Sequence, residues 1–170
     1  MRFISFLFAA LLFVLPNTAN AQKTGSYFSF GIGGWEKSES GTYTSNDFST
    51  ILDAAAGIRR SLFRFEINAS QWDNGAREGF TDSLTSASVN AYIHVMPRSL
   101  FSPYVGGGVG YMFSDMGNSP FYMFAGGIEI SPRYSPIGVA AEYRYFKPTK
   151  KIKSHDFDGD GIIFKTYFNF

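Results

Sequence analysis

Three aspartates alternate with other residues near the end of this 170-residue chain. Asp156, Asp158 and Asp160 belong to the sequence D-F-D-G-D-G, which matches the opening of a calcium-binding loop. Alternate carboxylates before a glycine turn can surround a hard cation with oxygen ligands. However, the position of the closing bidentate glutamate is taken by Tyr167, within a predicted strand. The alternative is an acidic, glycine-rich loop, so the three aspartates are candidate metal ligands only.

A run of lysines precedes these aspartates in the same predicted loop. Lys147, Lys150, Lys151 and Lys153 could pair with the phosphates of a lipid surface or with an anionic host surface. The alternative is a solvated loop in which the lysines pair with the nearby aspartates.

Candidate catalytic groups are few. His94 and His155 are the only histidines, and hydrolysis needs a nucleophile, a base and a group that orients the base. Ser154, His155 and Asp156 are consecutive, and consecutive side chains in a strand point to opposite faces, although this objection is weaker in the predicted loop that holds them. The glycine run 106–110 is not a phosphate-binding loop, because neither a Lys-Ser/Thr pair nor a helix follows it. We therefore expect no enzymatic activity and no cofactor.

Apolar and polar residues alternate along segments of about ten residues, which predicts β-strands. For example, Phe63, Phe65 and Ile67 share one face, whereas Arg64 and Glu66 share the other. The predicted strands are residues 25–35, 51–60, 62–72, 83–95, 102–113, 120–131, 136–147 and 160–170.

The connections between these strands alternate in length. Outer-membrane barrels have short periplasmic turns and longer outside loops. The connections expected outside are 36–50, 73–82, 114–119 and 148–159, and the short ones are residue 61, 96–101 and 132–135. The pattern predicts an all-β fold, an eight-stranded antiparallel up-and-down transmembrane β-barrel.

The charges within the strands fall on the face opposite the aromatic side chains. A charge that faces lipid at the bilayer midplane costs about 2–4 kcal/mol, so the charged face must be the lumen. Four acids and three bases can pair there, as a packed ionic interior requires. The predicted lumen charge network is Asp53, Arg64, Glu66, Glu129, Glu142, Arg144 and Lys165. Eight strands leave an interior only wide enough for side chains, so we expect no bulk pore activity.

The first residues predict a secretory signal peptide. Arg2 is followed by an apolar run over residues 4–15, interrupted only by Ser5, then by Pro16 and the small-residue sequence at 19–21. The run is too short to cross a bilayer as a helix, which takes about 20 residues. We therefore expect a cleaved signal peptide at 1–21 and a barrel domain at 22–170.

The composition agrees with this prediction. The chain is 18% aromatic and contains 18 glycines, as suits a barrel with aromatic residues at both membrane interfaces and small residues where strands curve. Without cysteine it has no disulfide framework and no thiol chemistry. The balance of 15 basic and 14 acidic residues gives no reason to expect nucleic acid as a partner.

The last predicted strand carries aromatic residues at alternate positions. Phe164, Phe168 and Phe170 share one face, and the end of this strand resembles the assembly signal of outer-membrane proteins. With the predicted signal peptide and strands, the chain resembles the small eight-stranded barrels of the OmpA/OmpX and opacity-type surface-antigen group, often labelled "porin family". The stretch from Tyr104 to Tyr111 is similar to the fifth-strand region of that group. The resemblance implies location in the bacterial outer membrane, contact with its lipid and lipopolysaccharide, and recognition by the barrel-assembly machinery.

We therefore expect a structural or surface protein whose outside loops are solvated or bind a host or cell-surface ligand. Two alternatives remain open. A lipid-modifying barrel enzyme of the acyl-hydrolase type predicts a polar cluster around His155 at the outer rim, although the chain lacks the His-x-Ser-Asn stretch of lipid A deacylases. A soluble lipocalin-like barrel predicts apolar residues inside and polar residues outside.

Overall fold

The protein folds into eight β-strands. The computed structural model describes residues 25–37, 49–73, 84–97, 99–114, 117–132, 135–150 and 158–170. The strands are β1 (Gly25–Lys37), β2 (Ser49–Arg60), β3 (Phe63–Asp73), β4 (Leu84–His94), β5 (Phe101–Phe113), β6 (Ser119–Ile130), β7 (Ile137–Pro148) and β8 (Gly159–Asn169). No helix long and apolar enough to cross a membrane occurs in these ranges. The predicted signal peptide, residues 1–21, lies outside them.

The strands close into one antiparallel barrel. Each strand pairs with its neighbours in sequence, and β1 pairs with β8 to complete the ring. The predicted eight-stranded up-and-down barrel is confirmed, and no strand boundary differs from its predicted position by more than two residues. Closure leaves no sheet edge with unpaired backbone groups.

The connections divide the barrel into two ends. We call the end with connections 61–62, 95–100 and 131–136 the turn end, and the end with connections 38–48, 74–83, 114–118 and 149–158 the loop end. The expectation that every connection at the loop end is the longer kind was wrong for 114–118. It is shorter than 95–100 and 131–136, because β5 and β6 pair up to Met112 and Ser119.

The outer surface is apolar along the strands. Large apolar side chains alternate outward, and many are more than half exposed, such as Ile67, Val109 and Phe164 at 63–68%. The charged side chains of the strand interiors are buried inside. This distribution suits a barrel surrounded by lipid. It is the reverse of what the lipocalin-like alternative predicts.

Glycines on the inner face make room for rings on the adjacent strand. Tyr92 on β4 pairs in register with Gly106 on β5, and Tyr27 on β1 pairs with Gly57 on β2. A Cβ at Gly106 would overlap the Tyr92 ring, and one at Gly57 would lie 2.7 Å from the Tyr27 hydroxyl. The glycine run of β5 therefore serves packing of the interior.

Candidate functional site in the barrel interior

The barrel interior holds eight buried charges among the described residues. All seven members of the predicted lumen charge network lie there, between 0 and 4% exposed, and Arg59 joins them. With Arg59 included, four acids face four bases, so the formal charge of the cluster is balanced. Strand alternation places each of these side chains on the inner face.

Lys165 lies at the centre of the network. Its Nζ is 3.2 Å from Glu142 Oε1, 3.4 Å from Asp53 Oδ1 and 3.6 Å from Glu66 Oε1. These acids belong to β7, β2 and β3, so one ammonium on β8 links three other strands across the lumen. Arg144 shares two of them, donating to Asp53 at 2.9 Å and to Glu142 at 2.6 Å.

Arg64 lies between aromatic rings. Its Cζ is 4.0 Å from the ring centroid of Tyr92 and 4.4 Å from that of Tyr104, within the range of cation–π contacts. Its Nη1 donates to the Tyr167 hydroxyl at 3.0 Å, and its Nη2 is 3.6 Å from Glu142 Oε2. The guanidinium is fully buried, so rings, hydroxyls and acids take the place of its water.

Glu66 is bound by neutral donors as well as by cations. The hydroxyls of Tyr27 and Tyr92 donate to its two oxygens at 2.7 and 2.9 Å, and Asn90 Nδ2 donates at 3.2 Å. A buried carboxylate is tolerated when its acceptor sites are filled in this way. The interior tyrosines thus serve the ionic network as hydrogen-bond donors.

Arg59 and Glu129 form the pair nearest the turn end. Arg59 Nη1 donates to Glu129 Oε1 at 2.7 Å, and Nη2 bonds the other carboxylate oxygen, which makes the pair bidentate. Arg59 was missing from the predicted network because it stands beside the predicted turn at residue 61. Its even spacing from Asp53 puts both residues on one face, so alternation extended to the strand end would have found it.

His94 and Ser102 lie side by side in the same part of the interior. His94 Nδ1 and Ser102 Oγ are 3.0 Å apart. A serine next to a histidine is the beginning of a hydrolytic site. However, the two residues are only 1% and 0% exposed, which gives a substrate no approach in this conformation.

The loop end of the interior is filled mainly by aromatic and apolar side chains. Trp72 packs against Trp35 and Phe146, with ring centroids 5.3 and 4.4 Å apart, and all three are at most 3% exposed. The expectation that charges and aromatic side chains occupy opposite faces was therefore wrong. The inner face takes both, because inward glycines provide the space and rings can contact cations.

The candidate metal ligands lie only partly within the described residues. Asp158 and Asp160 are at the loop end of β8, and Lys147 Nζ is 3.4 Å from Asp158 Oδ2. In the ranges that the structure describes, no group of three metal-ligating side chains occurs. Asp156 lies outside those ranges, as do the neighbouring Lys151, Lys153 and Ser154. His155, on which the enzymatic alternative depends, also lies outside them.

The aromatic residues of the predicted assembly signal lie on the outer surface. Phe164 is 63% exposed. Phe28 of β1 stacks on Phe168 with ring centroids 4.8 Å apart, and its ring is 5.7 Å from that of Phe170. These contacts cover the turn end of the β1–β8 seam. A role in recognition by the assembly machinery stays a prediction.

An apolar exterior, a packed ionic interior and eight closed strands define the chain as a small barrel of the transmembrane class. Solved structures agree with this fold. Neisserial surface protein A is 18% identical, with a TM-score of 0.73 over 86% of this chain and 97% of its own. The N-terminal β-barrel domain of Pseudomonas aeruginosa OprF is 10% identical, with a TM-score of 0.60 over 86% of this chain and 99% of its own.

A third similar structure is Ail, the attachment invasion locus protein of Yersinia pestis. It is 16% identical, with a TM-score of 0.52 over 88% of this chain and 100% of its own. No protein-family model and no curated protein matches the sequence. At these identities the neighbours show the fold, and they agree with the resemblance to small eight-stranded barrels.

Proposed function

We propose that the protein is exported by a cleaved signal peptide and inserted into a bacterial outer membrane, where it displays its loop end outside the cell. The observation that supports this proposal is the distribution of side chains between the outer and inner faces of the barrel. The outer face of the strands is apolar, whereas eight charges are paired inside. A chain that folds in water places these groups the other way round, and lipid is the solvent that favours this arrangement.

The interior supports a display role over a transport role. Apolar rings fill the loop end, the ion pairs of Lys165 fill the middle, and Arg59 with Glu129 fills the turn end. An eight-stranded barrel has just enough room for such side chains. We therefore assign the barrel the role of a rigid, sealed support for the loops.

The loop end carries exposed lysines as candidate contacts for an anionic partner. Lys147 and Lys150 are exposed there, and the backbone N–H of Lys150 is hydrogen-bonded to Ser119 Oγ at 3.2 Å. Ail has been solved in complex with a heparin analogue, sucrose octasulfate. For this chain we propose phosphate groups of lipopolysaccharide or an anionic host surface as the partners to test first.

The test is protease access in intact cells. A cleavable tag is inserted into loop 149–158 of the full chain, and the same tag is inserted into turn 131–136 as the matched control. We expect cleavage of the loop tag in intact cells, with cleavage of the turn tag only after the outer membrane is opened. Protection of both tags until the membrane is opened would contradict the display role, and the opposite pattern would show inverted topology.

A further inference from the structure

Two neighbouring turns at the turn end expose apolar side chains. Leu62 lies in turn 61–62, and Val95, Met96 and Leu100 lie in turn 95–100. These four residues, which we call the turn patch, are between 42 and 66% exposed. Turns that face water are ordinarily built from glycine, proline and small polar residues, so this composition needs a reason.

The turn patch continues the wall of the barrel. The backbone N–H of Val95 donates to the carbonyl of Pro103 at 2.9 Å, and that of Ser131 donates to the carbonyl of Leu100 at 3.0 Å. These bonds extend the pairing of β5 with β4 and β6 beyond the strand ends. The last outward residues of the strands, Phe63, Ile93 and Phe101, are themselves about half exposed, at 48–54%. The apolar outer surface of β3, β4 and β5 therefore runs into the two turns, and the exposed Arg60 of β2 stands opposite Phe63 at its border.

The third turn at the same end differs. Turn 131–136 contributes Ser131, Pro132, Ser135 and Pro136 to the described residues, none of them a large apolar side chain. Among the described residues, the apolar surface thus extends further at the turn ends of β3, β4 and β5 than at those of β6 and β7.

The loop end shows the complementary asymmetry. On β2, β3 and β4, the outward positions near the loop end are Thr50, Gln71 and Thr85, all exposed. On β5, β6 and β7 the outward residues near the loop end include the aromatic side chains of Tyr111, Phe113, Tyr122 and Tyr145, the type that borders a bilayer, with the exposed Lys147 beyond Tyr145. On one side of the barrel the apolar surface is therefore displaced toward the turn end.

We propose that the barrel lies tilted in the bilayer, with turns 61–62 and 95–100 inserted into the leaflet at the turn end. The partner of the turn patch is membrane lipid at the boundary between acyl chains and headgroups. Continuity with the apolar outer surface favours lipid over a soluble protein. Arg60, exposed beside the patch, can extend its guanidinium to the lipid phosphates while its stem stays among apolar groups. The inference rests on the proposed membrane location but not on which side is outside.

The absence of cysteine allows a direct test. The single-cysteine variants M96C and L62C are labelled at the thiol with an environment-sensitive fluorophore, which then lies in the turn patch. P132C places it in turn 131–136 at the same end, and V89C places it in the middle of the outer face of β4. Each full chain is reconstituted in phosphatidylcholine vesicles, and its folding is checked by a heat-dependent shift in electrophoretic mobility. The measurements are quenching by iodide in water and by nitroxide lipids labelled near the headgroup or mid-chain.

We expect the labels at positions 96 and 62 to be several-fold less accessible to iodide than the label at 132, and to be quenched best by the headgroup-proximal nitroxide. Equal iodide access at 96, 62 and 132, with V89C still quenched by mid-chain nitroxide, would overturn the tilt and leave the membrane location intact. A V89C label that lipid nitroxides do not quench would overturn the membrane location, and the inference with it.

Discussion

At the scale of single residues, we expect the replacement of Lys165 to have a large effect on stability. Its ammonium is fully buried and faces carboxylates from three strands. Removing one partner from a buried ion pair leaves an uncompensated charge and typically costs about 3–5 kcal/mol. We expect K165M to lower the free energy of unfolding by about that amount, measured by urea titration in detergent with the fluorescence of Trp35 and Trp72.

The matched control for this substitution is K147M. Lys147 is exposed at the loop end, and its ion pair with Asp158 is in contact with solvent, where such pairs contribute little. We expect K147M to unfold at the same urea concentration as the unchanged protein. Equal stability of K165M and the unchanged protein would mean that Lys165 does not hold the network together.

At the scale of strands, an inward glycine opposite an inner aromatic ring lets the two neighbouring strands pair closely. Gly106 faces Tyr92 across β4 and β5, and a Cβ there has no space. Filling a packed interior in this way typically costs about 1–3 kcal/mol, so we expect G106A to lose stability of that size. Gly126 on β6 faces outward, with its nearest atoms 3.8 Å from a Cβ.

The G126A variant is therefore the control for G106A, and we expect its urea midpoint to stay unchanged. Both variants remove one glycine from a strand of the same sheet, so the change in backbone freedom is similar. If both lost stability equally, the cause would lie in the glycine backbone and the Tyr92 contact would be irrelevant.

The strands could be predicted from the sequence, because lipid outside and charge inside force a strict alternation. Arg64 with Glu66, and Glu142 with Arg144, fix the phase of their strands without further information. The role of the inner aromatic residues could not be predicted. Alternation places Tyr92 and Trp72 on the inner face, but the partner of each ring, such as Gly106 opposite Tyr92, is known only once the register is known. The ion-pair geometry around Lys165 depends on closure between β8 and β1, which alternation within a strand does not determine.

At the scale of the whole molecule, a filled interior predicts the absence of a channel. Side chains from all eight strands occupy the lumen, and an eight-stranded barrel has no width to spare. We expect the full chain in a planar bilayer to give no stable current steps above the bare membrane at moderate voltage. Reproducible ohmic steps that vanish when the protein is omitted would contradict the sealed interior.

The central claim is that this chain is a closed barrel resident in a membrane, and electrophoretic mobility tests it most directly. The full chain is expressed in a Gram-negative host, and the outer-membrane and soluble fractions are run in dodecyl sulfate with and without boiling. A closed barrel keeps its backbone hydrogen bonds in the detergent until heated, because its polar backbone groups are all paired within the wall. We predict recovery in the outer-membrane fraction with a mobility that changes on boiling. Recovery in the soluble fraction, with one mobility before and after boiling, would contradict the claim.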